Sequence, residues 1–98
     1  MIDLARSEWK ELIELMPSDI YFINYINFEL AHGTFELKYN AFLTAFESIS
    51  DSTLFWNCHD LMCIHFPKVR KENFEIYKNF QSIRTQRFKA KPKGNKVT

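Results

Sequence analysis

Between Thr34 and Asp51 the sequence TFELKYNAFLTAFESISD carries two interleaved periodicities. Phe35, Tyr39, Phe42, Phe46 and Ile49 recur at steps of four, three, four and three. Glu36, Asn40, Thr44, Glu47 and Asp51 recur at the same period on the other side. A repeat near 3.6 residues is the signature of an α-helix with one apolar face and one wet face. An aromatic face of this width has to be covered, so the rest of the chain must supply its cover.

A chain of 98 residues forms one domain, able to bury roughly 60 to 65% of its unfolded surface around a single core. The hydrophobic fraction of 46% excludes disorder throughout. Only two glycines and three prolines leave little turn chemistry, which argues against a sandwich or barrel of many short strands. Acids interrupt the apolar positions of MIDLARSEWKELIELM, so the opening stretch is not a signal peptide. No run approaches the ~18 apolar residues of a membrane span. A soluble, cytoplasmic protein is expected, with no membrane contact.

Taken in order, the chain reads as successive helices. Asp3 is placed to cap a first one with Ala5, Trp9, Leu12, Ile13 and Met16 on its apolar side, ending before Pro17. Ser18 or Asp19 caps the next segment, IYFINYINFEL, which fits two patterns. At period two it pairs with FELKY as a hairpin over 20–39; at period 3.6 Ile23, Ile26 and Leu30 form a stripe. The helical pattern accounts for both sides of Gly33, which becomes the C′ residue, with Thr34 as the next cap. A fourth helix runs from about Leu54 to Ile64, apolar almost all round, and ends at Phe66-Pro67. A fifth carries Val69, Ile76, Phe80 and Ile83, with Lys68, Arg70, Lys71 and Lys78 elsewhere on it. From Arg84 the apolar rhythm fades, and RTQRFKAKPKGNKVT has six bases and no acid.

Charge divides the chain. Residues 1–66 hold ten acids against three bases, a net −7, and residues 67–98 hold ten bases against two acids, a net +8. Either the two parts satisfy each other across the folded surface or the basic end serves an acidic partner. Arg84, Arg87, Phe88, Lys89, Lys91, Lys93 and Lys96 are the candidate binding residues, because cations mixed with an aromatic suit phosphates and bases.

The octapeptide CHDLMCIH gathers Cys58, His59, Cys63 and His65. His59 and Cys63 at i, i+4 could grip one zinc, but four ligands on a turn and a half of helix cannot surround a tetrahedral ion. Core thiols in a reducing compartment are expected, with no metal and no cofactor. Asp60 beside His59 is weak evidence of acid–base chemistry, since adjacent helical residues do not face each other.

The stretch FELKYNAFLTAFESISD resembles the long second helix of HEPN-type bundles, and IYKNFQSIRTQRFK is similar to the run that opens that family's catalytic arginine motif. Together they cover about a third of the chain. In the family that arginine is followed five or six residues on by a histidine, and no histidine follows Arg84 or Arg87 here. The resemblance therefore implies a helical bundle without the ribonuclease chemistry.

The expected fold is all-α, a bundle of four to five short helices over 1–88 with a basic, flexible tail over 89–98; the alternative is α+β with a hairpin at 20–39. The expected function is a non-catalytic module that binds and modulates a larger protein, as small inhibitors of host enzymes from phages and mobile elements do. The alternative is a nucleic-acid-binding or degenerate HEPN-like domain using the basic end.

Overall fold

The aromatic repeat centred on Phe42 folds as one α-helix, Phe35–Ser48, and every other packed helix but one lies against it. The computed structural model of the chain describes residues 1–67 and 70–88. These form α1 (Ile2–Leu15), α2 (Asp19–His32), α3 (Phe35–Ser48), α4 (Ser52–His65) and α5 (Phe74–Arg87), with a single 3-10 turn at Lys71–Asn73 before α5. The described residues contain no strand, and the all-α bundle stands. The hairpin over 20–39 is excluded: α2 buries Phe22, Tyr25, Ile26 and Glu29, at steps of three, one and three, which only a helix presents on one face. Val69 and Lys68, expected on the fifth helix, lie outside the described residues, as do Lys89 to Thr98.

α3 packs on α2, α4 and α5, whereas α1 packs mainly on α2. Phe42, Phe46 and Ile49 are fully buried, Ala41 and Ala45 widen the buried face, and Glu36, Asn40, Thr44 and Glu47 face water. Phe35 departs from the expected stripe, standing exposed at the start of the helix with its ring edge-on to Phe66 at 5.2 Å. The Phe46 ring is the centre of the core, 4.2 Å from Phe80, 5.5 Å from Phe55 and 6.0 Å from Phe42. Each such phenylalanine contributes about 1.5 to 3 kcal/mol by burial. These rings, drawn from three helices, hold the bundle together.

The boundaries follow local chemistry. Thr34 Oγ1 accepts from Leu37 N at 3.2 Å, and Asp51 Oδ1 accepts from Leu54 N at 2.9 Å, so both residues cap the helices that follow them. Asp3 does not cap α1; it lies in the first turn and pairs with Arg6 at 3.1 Å. Ser18 makes no side-chain cap, and the Asp19 carboxylate instead accepts from Ser50 N at 3.2 Å and Asp51 N at 3.0 Å, pinning the α3–α4 loop to α2. α5 begins at Phe74, later than expected, because Pro67 O takes Arg70 N at 3.1 Å and Asn73 Nδ2 at 2.6 Å in an intervening turn. It ends at Arg87, so Arg84 and Arg87 are helical residues although the apolar rhythm fades from Arg84.

Gly33 has φ −89° and no left-handed conformation. Its role is steric. A Cβ there would lie 2.6 Å from Glu29 Oε1 and 2.9 Å from Glu29 O, so the glycine makes room for a buried carboxylate.

Candidate functional site

Of the expected binding residues, two are absorbed by the fold. Ser50 N would normally donate to the carbonyl of Phe46, but it is diverted to Asp19. Arg87 Nη1 takes that carbonyl at 2.7 Å, placing a cation at the C-terminal end of α3, where the helix dipole favours one. Phe88 packs at 4.5 Å on Phe55, with the Arg87 guanidinium 5.2 Å from its ring. Arg84, one turn earlier, points elsewhere. It lines an open groove between α4 and α5 with His59, Phe74, Tyr77, Lys78, Phe80 and Gln81, a space of about 380 Å³. No carboxylate pairs with Arg84 among the described residues, and its Nε is buried without an acceptor. Lys89, Lys91, Lys93 and Lys96 lie outside the described residues.

The octapeptide departs from its sequence reading only at the half-burial of Cys63 and at the His59–Asp60 pair. Cys58 is buried, and burial above all, with the nearby charge of Asp19, pushes its thiol up to about 12. Cys63 is only half-buried, and its Sγ lies 3.7 Å from His59 Nε2. His59 Nδ1 is 3.3 Å from Asp60 Oδ1, so these neighbours do meet. The His59 ring stacks on Phe80 at 4.7 Å and meets Trp56 edge-on at 5.1 Å. Tyr77 Oη donates to Phe66 O at 2.8 Å, and burial, then its hydrogen bond to Cys63, pushes the phenol up to about 12. Among the described residues no group of three or more His, Cys, Asp or Glu side chains could hold a metal ion.

At the opposite side of the bundle is a feature the sequence pattern did not disclose. Glu29 is fully buried on α2, and Arg6 of α1 grips it with both arms of its guanidinium, Nε to Oε2 at 2.7 Å and Nη2 to Oε1 at 3.0 Å. Tyr25 Oη donates to Oε2 at 2.7 Å. Burial raises the Glu29 carboxyl, but the hydrogen bonds from Arg6 and Tyr25 and the charges of Arg6 and Lys10 outweigh it and hold it below its usual value. The Tyr25 phenol is raised, first by burial and then by the bond it gives to Glu29. The only available hint was that Arg6 is the first base in a strongly acidic stretch.

This clip fastens a helix that buries little else. α1 has no buried residue; Trp9 and Ile13 lie partly covered against the core. The expected apolar side fails at Met16, which is 56% exposed, and Leu4 and Leu15 are 58% and 72% exposed. Met1, Ile2 and Ile20 are exposed too, so among the described residues six of the nine exposed large apolar side chains fall in the first twenty positions. Leu4, Glu8, Glu11 and Leu15, at steps of four, three and four, share the outer line of α1, and all four are exposed.

Compared with protein-family models, with curated proteins and with solved structures, the chain matches none. No helix among the described residues is long and apolar enough to cross a membrane.

Proposed function

We propose that this chain is a small non-catalytic module that docks onto a larger protein through the outer face of α1. In this reading it acts as an inhibitor of an enzyme that processes nucleic acid, of the kind a phage or mobile element directs at a host. One observation carries the reading: exposed large apolar side chains are concentrated on α1 and its corner with α2. Single exposed leucines are ordinary, but a cluster rimmed by charge marks an interaction surface. The rim is acidic, with Glu8, Glu11 and Glu14 exposed among Leu4, Leu15 and Met16. Its complement is an apolar patch surrounded by cations. Enzymes that handle nucleic acid carry such cations to meet phosphates, and an acid-rimmed helix competes for the same ground.

The test starts from the complex purified from the native cell, with the partner identified and rebound from pure components. The double variant Leu4→Glu/Leu15→Glu should keep its melting temperature and bind at least ten-fold more weakly. Equal binding by both proteins would overturn the α1 assignment. Filter binding of oligonucleotides across a salt series checks the alternative, in which Arg84 and the lysines of 89–98 serve a nucleic-acid-binding or degenerate HEPN-like domain. Tight binding with a steep salt slope would favour that alternative.

A further inference from the structure

The groove between α4 and α5 is separate from the α1 face and is chemically unlike it. Its walls are aromatic. Phe80 forms the buried floor with the His59 ring stacked on it, Tyr77 lies partly covered, and Phe74 stands 67% exposed at one end. Its remaining lining residues are Lys78, Gln81 and Arg84, two cations and a neutral amide, with no acid among them. Lys78 already has a carboxylate, Glu75, at 3.5 Å and in open solvent. Arg84 has none among the described residues. Arg87, three residues on, is committed to a carbonyl, so Arg84 is the cation at this end of α5 whose charge the fold leaves unanswered.

We infer that this groove binds a small aromatic acid, its ring between Phe74 and Tyr77 and its carboxylate on the Arg84 guanidinium. Three properties of the groove select that class. A space of about 380 Å³ falls in the range of small-molecule sites and takes a one- or two-ring ligand. Flat aromatic walls favour a planar apolar body. The planar fork of an arginine matches a carboxylate in two parallel hydrogen bonds. Gln81 lies one turn before Arg84 and can donate to the same anion from its amide.

The probe is 1-naphthoate, titrated into the full chain while proton–nitrogen NMR follows the α5 amides and the Arg84 side chain. Saturable shifts confined to His59 and the α5 lining residues are expected. Arg84→Gln should weaken binding at least ten-fold. Because that variant removes a half-buried side chain, Gln81→Glu provides a second reading from an exposed position. It sets a negative charge beside the carboxylate and should also weaken binding at least ten-fold, with an unchanged melting temperature. 1-Naphthalenemethanol, which has the ring without the charge, should bind at least ten-fold more weakly than the acid. No saturable shift, equal binding of the alcohol, or wild-type affinity in Gln81→Glu would overturn the assignment. Displacement of naphthoate by an oligonucleotide at lower concentration would overturn it in favour of nucleic acid.

Discussion

Arg87 Nη1, in the last turn of α5, donates to the carbonyl oxygen of Phe46, near the end of α3, at 2.7 Å. That carbonyl is free because Asp19, on a third helix, holds Ser50 N. One hydrogen bond thus ties the end of the described chain to the middle of the core.

Removing the last ten residues, 89–98, should leave the melting temperature unchanged, whereas ending the chain after Gln86 removes both the Arg87 bond and the Phe88 packing on Phe55. The shorter protein should lose about 2 to 4 kcal/mol, since a charged donor to a buried carbonyl and a packed aromatic each matter on that scale. Thermal unfolding of the two truncations checks this. Equal melting temperatures would show that Arg87 and Phe88 contribute nothing to the fold.

Arg6→Met should destabilise by about 3 to 5 kcal/mol, because it leaves Glu29 buried and charged without its partner. Arg6→Met combined with Glu29→Leu should recover most of that loss, since an apolar pair of similar size replaces an ion pair at little net cost. Denaturant unfolding of the single and double variants measures the difference. A double variant as unstable as the single one would contradict this account.

The same network sets a pH dependence. Glu29 is held below its ordinary 4.5, so its contribution is complete above that value and disappears as pH falls through the lower folded value. Cys58, Tyr25 and Tyr77 are raised from 9.0, 10.0 and 10.0, so their contributions are complete below those values and fall away as pH rises beyond them. Melting temperature should form a plateau between these limits. Glu29→Gln should flatten the acid side alone, and an unaltered acid limb would remove Glu29 from the explanation.

Gly33→Ala should be destabilising by about 1 to 3 kcal/mol, since the new Cβ meets a carboxylate oxygen that Arg6 locks in place. At φ −89° the usual expectation is the reverse, a gain of about 0.4 to 1 kcal/mol from a stiffer unfolded chain. The sign of the change in unfolding free energy decides. In a Glu29→Leu background with Arg6→Met, the penalty should shrink.

The thiols should react in sequence. At pH 8 a thiol reagent should modify Cys63 first, because Cys58 is buried and raised to about 12. Cys63→Ser should abolish the fast phase and leave one thiol that reacts only on unfolding. Equal native rates would show that α4 does not shelter Cys58.

α3 was legible because five large apolar residues keep one period for four turns and its neighbours bury Phe42, Phe46 and Ile49 of that face and part of Tyr39. α2 was legible only in outline. Its buried face includes a glutamate, and nothing near Glu29 in the sequence announces that Arg6, 23 residues upstream, will neutralise it. α1 misled in the other direction, since its amphipathic spacing is real but the fold packs only Trp9 and Ile13 against the core and leaves Leu15 and Met16 open. Arg84 and Arg87 show why the basic end was read too simply. Identical side chains three residues apart meet different surroundings, a groove and a carbonyl, and only the packing of α5 on α3 separates them.

The placement of α1 has an electrical consequence. Its acids are carried on α2, while the cations of α5 are carried on α3, and the whole chain sums to only +1. Such a molecule has almost no monopole, while a net −2 on α1 and a net +2 on α5 are held apart by the helices between them. A charged surface several ångströms away would therefore exert a torque on it before it exerted any appreciable pull. Added salt would abolish that alignment beyond about 10 Å at ordinary ionic strength. Orientation on arrival, more than the frequency of arrival, is what this arrangement of helices controls.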